Sequence, residues 1–410
     1  MTKANTQGKG KTMISPEQAW KIIAKTIGKP ATESKSITDS LGCILAASVK
    51  APLDLPVFSN SAMDGFVIRH SDFNEGLRTF RIAGVIAAGK TKPLPALKKG
   101  EAYRIFTGAM IPSGADTIVI KENTKELGQN FHILQTALNK GANIRFRAAQ
   151  LKKGDAALEK GHLLGPASIG FLAGMGINKV SVYKKPRISI IVTGDELQVQ
   201  GKKLSPGQIY ESNSFALQMA LRASGNEPVS LVHVKDNEKQ IRSALEKALK
   251  ASDIILLTGG ISAGDCDFVK TALPKTRINC LFYKLAQKPG KPIYYGKKKN
   301  TAIFALPGNP ASVLTCFYEY VYPALRMMKG FNKPFLEKRQ CVLAKEYRKT
   351  SDFSLFLKGK TENNTVHILE GQGSDTMQSF ALADCLIYMP PGIRVVEKGT
   401  SVETHIILNG

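Results

Sequence analysis

The sequence predicts a multidomain α/β protein whose centre is a doubly wound α/β domain, and three observations carry that reading. RISIIV (187–192), PVSLVHV (228–234) and ASDIILL (251–257) are short apolar runs without helical spacing, as expected of sheet strands buried on both faces. A helical pattern at 213–224 and the charged helix EKQIRSALEKALK (238–250) alternate with them, which is the βαβ order of a mostly parallel sheet. At 410 residues the chain also exceeds what one ordinary core holds, so two to four domains are expected.

In chain order, residues 1–12 read as a polar tail. SPEQAWKIIAKTI (15–27) opens a helix with Ser15 as N-cap, Pro16 at the first helical position and Glu17 in the first turn. ITDSLGCILAASVKAPLDLP then reads as a turn, a short strand and a proline-rich crossing. PVFSNSAMDGFVIR (56–69) is a polar loop running into a strand, where Asp64 by spacing alone forms an Asx turn. From Phe80 to Gly141 short alternating segments broken by Gly and Pro predict a small β domain. Residues 141–155 return to the first region, and PASIGFLAGMGI (166–177) is helical with Gly176 near its end. The N-terminal domain is therefore expected to be discontinuous, 13–52 with 143–183, around an inserted β domain at 53–142. The α/β domain takes 184–330, and the β-type segments of 331–410 predict a β-barrel-like domain.

Composition excludes some functions. With 43% apolar and 22% charged residues, no apolar run of about 18 residues and no apolar N-terminal segment, neither a membrane protein nor a secreted one is expected, and the cytoplasm is the predicted location. The six cysteines are scattered without CxxC or metal-like spacing, so no disulfide or zinc chemistry is assigned. The net charge of +24 is spread in small lysine groups, and with only 7% aromatic residues no stacking motif lies among them. That pattern predicts a solvated lysine surface that steers small anions, not a nucleic-acid groove.

Three loops are candidates for ligand chemistry. In LLTGGISAGDCDFVK (256–270), Gly259, Gly260 and Gly264 allow close backbone approach, Ser262 adds a hydroxyl, and Asp265 and Asp267 suit a divalent cation between anionic oxygens. The same pattern also reads as a strand-to-helix turn with an acidic cap. KPGKP places Lys288, Gly290 and Lys291 on a proline-stiffened loop four residues beyond Lys284, a grouping of ammonium charges that suits phosphates. In LPGNPAS, Pro307, Gly308, Asn309 and Pro310 form a turn, and Ser312 is expected to begin an apolar helix. Each loop is expected at a strand end, so the three fit one crevice along the carboxyl edge of a parallel sheet. Asp195, Glu196 and Asp236 also stand at strand ends, which favours a cation site on that edge.

Together, TGGISAGDCD, KPGKP, LPGNPAS, TGDEL (193–197) and SNSAMDGF (59–66) resemble the molybdopterin molybdenumtransferase (MoeA) family, which includes the gephyrin E domain, over the chain from about Ser15 onward. The resemblance implies a MoaB/MogA-like central domain and insertion of molybdate into adenylylated molybdopterin with release of AMP. It implies catalytic roles for Asp64, Glu196, Asp267, Lys284 and Lys288, with Glu196 and Asp267 on Mg²⁺. Substrate contacts are implied for Ser61, Met63, Thr107 (in TGAMIPSGAD), Asp236, Gly259, Gly260, Ser262, Gly264, Lys291, Pro307, Gly308, Asn309, Ser312 and Ser374. It further implies a homodimer with Asp64 reaching the site across the interface, and a molybdopterin adenylyltransferase as a possible partner.

The sequence departs from the family in two places. Arg145 and Arg147 are followed by Ala148, Ala149 and Gln150 where relatives keep a carboxylate, and Phe353 stands where they carry arginine, with Lys358 retained. A non-catalytic, gephyrin-like scaffold or a paralogue with a shifted pterin or nucleotide ligand is the alternative; the adenylyltransferase itself lacks the other domains and the SNSAMDGF loop.

Overall fold

Every residue of the strands Ile188–Thr193, Ile254–Thr258 and Thr301–Leu306 is buried, because helices cover both faces of the sheet they form. Ile190, Val192, Ile254 and Leu256 enter a core shared with the helices Asn213–Ala223 and Pro310–Cys316. Ile191, Ile255 and Leu257, one residue out of phase, enter a second core shared with Glu238–Ala251 and Phe268–Lys275. The computed structural model describes residues 13–89, 94–261 and 268–407. The polar tail 1–12 and, in the glycine loop, Ser262, Gly264, Asp265, Cys266 and Asp267 lie outside the described residues.

Sheet order is Pro228–Val234, Ile188–Thr193, Ile254–Thr258, Thr301–Leu306, Tyr294–Lys298, Asn279–Tyr283. The expected parallel sheet is mixed: Tyr294–Lys298 runs antiparallel to both of its neighbours. The cause is local, since Lys298 and Thr301 pair across a two-residue turn with Lys299 at φ 53°, and such a turn leaves no room for a crossover helix.

The chain divides into two compact units. One comprises Met1–Ser34, Gly42–Ala46 and Ser181–Gly410, so it holds the α/β sheet and the C-terminal strands. There Ser354–Glu362, Thr365–Ile368, Glu337–Leu343, Ser401–Ile406 and Cys385–Met389 pair in sequence, and Cys385–Met389 pairs back onto Ser354–Glu362. The ring closes as a five-stranded barrel, and the expected barrel-like domain is present. An unexpected short strand, Gln287–Lys288, joins the barrel parallel to Ser354–Glu362 and ties the KPGKP loop to it. The helix Pro16–Thr26 belongs to this unit; Ser15 is its N-cap as expected, and Gln18 completes a capping box with it.

The second unit comprises Lys35–Leu41 and Ala47–Val180. Its six-stranded sheet is built from Gly65–Ile68, Thr79–Ile86, Glu101–Ile105, Thr117–Ile120, Thr124–Leu127 and Asn130–Ile133, around a core where Phe66 stacks on Phe131 at 3.9 Å. Among the described residues no helix is long and apolar enough to cross a membrane, and the five described cysteines form no disulfide.

Candidate functional site

A cleft of about 700 Å³ opens along the carboxyl edge of the α/β sheet, and its lining unites most of the residues expected there. Glu196 and Asp236 follow the first two strands of the sheet order, Gly259, Gly260, Pro307, Gly308 and Asn309 follow the central pair, and Lys284, Lys288 and Lys291 cluster at the far end. Strands are roughly 4.8 Å apart, so Lys284, after the last strand of the order, stands about 19 Å from Glu196 across four strand spacings and about 24 Å from Asp236 across five. The edge therefore grades from acidic, through bare backbone, to cationic.

The central loops are held tightly. Gly259 has φ 92°, and a Cβ there would lie 2.2 Å from the Thr193 carbonyl oxygen, so only glycine fits. The Thr258 hydroxyl donates to the Pro307 carbonyl at 3.1 Å, and Asn213 Nδ2 donates to the Gly308 carbonyl at 2.7 Å. Asn213, which sequence reasoning missed, thus couples the glycine loop to LPGNP, and its own Oδ1 is buried without a hydrogen-bond partner. Ser312 does not open the helix as expected: Asn309 is the cap, Pro310 the first helical residue, and Ser312 lies in the first turn, buried but still facing the cleft.

The lysine loop is rigid for equally local reasons. Gly290 has φ 87° and no room for a Cβ, which would approach Cys316 Sγ to 2.5 Å. Gln287 Nε2 donates to the Pro289 carbonyl at 2.9 Å while its Oε1 accepts from the buried Tyr320 hydroxyl. The Lys288 and Lys291 ammonium groups lie 5.9 and 5.3 Å from the Phe353 ring centroid, so Phe353 is a cation–π partner of this loop. Lys358 is turned inward; it is 1% exposed and donates to the carbonyls of Gly371, Gly373 and Thr376. It shapes the barrel loop, and its charge does not reach the cleft.

At the acidic end the Asp236 backbone N–H donates to Asp195 Oδ1 at 3.2 Å. Burial, reinforced by the Asp195 and Glu196 carboxylates, raises the Asp236 pKa above the ordinary aspartate value. Asp236 Oδ1 is buried without a hydrogen-bond partner. Among the described residues no cluster of three or more His, Cys, Asp or Glu side chains is arranged to hold a metal.

The barrel supplies the opposite wall through Tyr347, Thr350, Ser351, Leu355, Gln372 and Ser374. Of these only Ser374 was expected; its hydroxyl accepts from Asn309 Nδ2 at 2.7 Å, and its carbonyl accepts from Ser312 N at 3.2 Å. A buried ion cluster fastens this wall to the helical layer. His405, on the last barrel strand, meets Glu319 at 2.7 Å through Nδ1 and Glu403 at 2.8 Å through Nε2. Burial works against the imidazolium, but the Glu319 carboxylate outweighs it, with Glu403 assisting, and the His405 pKa rises to about 9. The hydrogen bond from His405 and the nearby Lys338 pull Glu403 down to about 2.

In the second unit, the loop carrying Asp64 folds against the one carrying Thr107. Asp64 Oδ1 accepts the Thr107 backbone N–H at 2.8 Å and its hydroxyl at 2.7 Å, which hold the exposed carboxyl below its usual pKa. Met63 is exposed beside it, whereas Ser61, expected as a substrate contact, is fully buried and donates to the Met63 carbonyl. It shapes the loop that presents Asp64. Arg147 pairs with Asp54 at 2.6 Å, and Ala148 adopts φ 60°.

Models of three protein regions match this chain: the MoeA N-terminal region (domains I and II) over 14–176, a probable molybdopterin binding domain over 189–327, and the MoeA C-terminal region (domain IV) over 340–407. A molybdopterin molybdenumtransferase of Haemophilus influenzae is 33% identical over 95% of this chain and 98% of its own length. One from Nostoc sp. is 32% identical over 93% and 90%. The crystal structure of a molybdopterin biosynthesis moeA protein from Pyrococcus horikosii superposes with a TM-score of 0.83 at 29% identity, covering 97% of this chain and all of that one. With its three regions matched in order and relatives alike from end to end, the chain belongs to the molybdopterin molybdenumtransferase (MoeA) family.

Proposed function

We propose that the carboxyl-edge cleft binds adenylylated molybdopterin and molybdate, and that the protein inserts the metal oxyanion with release of AMP, a step of molybdenum cofactor biosynthesis. One observation carries this reading: a single edge sets Lys284, Lys288 and Lys291 at one end and Glu196 and Asp236 about 20 Å away at the other, with backbone-lined loops between. That length suits a diphosphate with a ring system at each end, and the graded charge fixes its direction. The lysines act as point charges on phosphate and molybdate oxygens. The Gly259 and Gly308 turns let the chain run alongside the phosphoanhydride without side chains in the way.

Asp236 and Glu196 suit a divalent cation, since the buried, unpartnered Asp236 Oδ1 and the crowding of acids that raises its pKa would both be relieved by one. Mg²⁺ held there, with Asp267 as a further ligand, would neutralise phosphate oxygens as the anhydride breaks. Water attacks one phosphorus, the P–O–P bridge opens, and AMP leaves with the bridging oxygen or its counterpart while the proton passes to a carboxylate at the acidic end. In a homodimer the partner subunit's Asp64 would complete the site, and a molybdopterin adenylyltransferase would supply the substrate.

The test is AMP release from adenylylated molybdopterin, with and without molybdate and Mg²⁺, by wild type and by Lys288→Ala. Molybdate-dependent release that drops at least about tenfold in the variant is expected, since one charged contact is worth roughly 1.5–3 kcal/mol. Nucleotide binding by wild type with no AMP formed would refute the assignment.

A further inference from the structure

The amino edge of the same sheet has its own concavity, of about 680 Å³, which the proposed reaction does not use. Arg187, Asp253 and Asn300 each directly precede a sheet strand, and Lys29, Lys184 and Lys185 join them in the lining. Asp253 is the one carboxylate in that lining, and it is already committed: Arg187 donates to it from its backbone N at 2.9 Å, from Nε at 3.2 Å and from Nη2 at 3.0 Å. Lys29, Lys184 and Lys185 are exposed and form no ion pair among the described residues. The Lys184 backbone N–H is pinned to the Ala31 carbonyl at 2.8 Å, so the two segments that carry the lysines are held together.

Close by, the buried Lys329 donates to the Ser224 carbonyl at 2.8 Å, and burial together with the charges of Lys185 and Arg326 brings its pKa down to about 8. Positive charge is therefore concentrated here beyond what the protein balances. The cleft has the dimensions of a small-ligand site and not of a macromolecular groove, and compact ammonium groups are suited to phosphate.

We propose that this amino-edge cleft binds a small polyphosphate anion, about 20 Å from the carboxyl-edge cleft across the length of a six-residue strand. The site goes beyond the proposed reaction and is independent of it, because its readout is binding. Isothermal titration of the full chain with inorganic pyrophosphate is the experiment, comparing wild type with Lys184→Gln/Lys185→Gln and with Lys288→Ala/Lys291→Ala. The expected result is saturable binding that survives in the second variant and weakens at least about tenfold in the first, whose exposed substitutions do not lower the urea midpoint. In the second variant, displacement of pyrophosphate by ATP assigns the anion to a nucleotide, and failure of ATP to displace it assigns it to free pyrophosphate; either supports the site. Equal affinity in Lys184→Gln/Lys185→Gln and in wild type, or binding that never saturates, overturns the proposal.

Discussion

Deprotonating His405 should loosen the barrel wall of the cleft. His405 and Glu319 are 1% and 4% exposed, so their contact is little screened by solvent. The His405 pKa is about 9 in the fold against an ordinary 6.5, so its stabilisation is complete below pH 6.5 and is lost as pH rises through 9. The distance between those two values corresponds to about 3 kcal/mol. Glu403 does not share this window: lowered to about 2, it loses its contribution only in acid. Lys329 acts with the opposite sign, because its pKa of about 8 lies below 10.5 and its contribution improves as pH rises between them. A comparison of wild type with His405→Gln cancels that term. The chain's single tryptophan, Trp20, is a built-in reporter, since its ring lies 6.1 Å from His405 and its Nε1 donates to the Glu319 carbonyl at 2.9 Å. Urea transitions followed by Trp20 emission from pH 6 to 9 should show wild type losing about 3 kcal/mol more than the variant. Equal slopes for the two proteins would refute the claim that a charged His405 clamps the barrel.

Gly259→Ala should abolish molybdate-dependent AMP release and lower the urea midpoint, because its Cβ would sit 2.2 Å from the Thr193 carbonyl oxygen; the backbone shift it forces costs about 1–3 kcal/mol or more. Asp236→Asn should do the reverse for stability, raising the urea midpoint above pH 5 by removing a carboxylate crowded by Asp195 and Glu196, while AMP release falls. Since the Asp236 pKa is raised, its ionised form destabilises the fold as pH climbs above the ordinary aspartate range, so the gain should shrink in acid. Asn213→Ala should weaken AMP release at least about tenfold through lost alignment of the glycine and LPGNP loops, with stability lowered by about 1 kcal/mol for the lost hydrogen bonds to Gly308 and Thr258.

Much of the cleft was legible because glycine, proline and strand ends are local constraints. Gly259 and Gly290 mark backbone that no other residue can adopt, and the apolar runs at 188–193, 254–258 and 301–306 place the loops that follow them on one edge. Side-chain direction was not legible. Ser61 and Lys358 belong to recognisable motifs, yet one is buried under its own loop and the other satisfies three carbonyls. Nothing in their neighbours' identities records that inward turn.

By itself the sequence determined the α/β alternation, the barrel-like character of the C-terminal strands, the three loops and the family, since each depends on residue type at short spacing. Only the tertiary structure decided that Tyr347, Leu355 and Gln372 form the far wall, that Gln287–Lys288 becomes a barrel strand, and that Asn213 bridges two loops. Those contacts join residues tens of positions apart, where the choice of partner is set by how whole layers pack and by which buried polar groups must be satisfied.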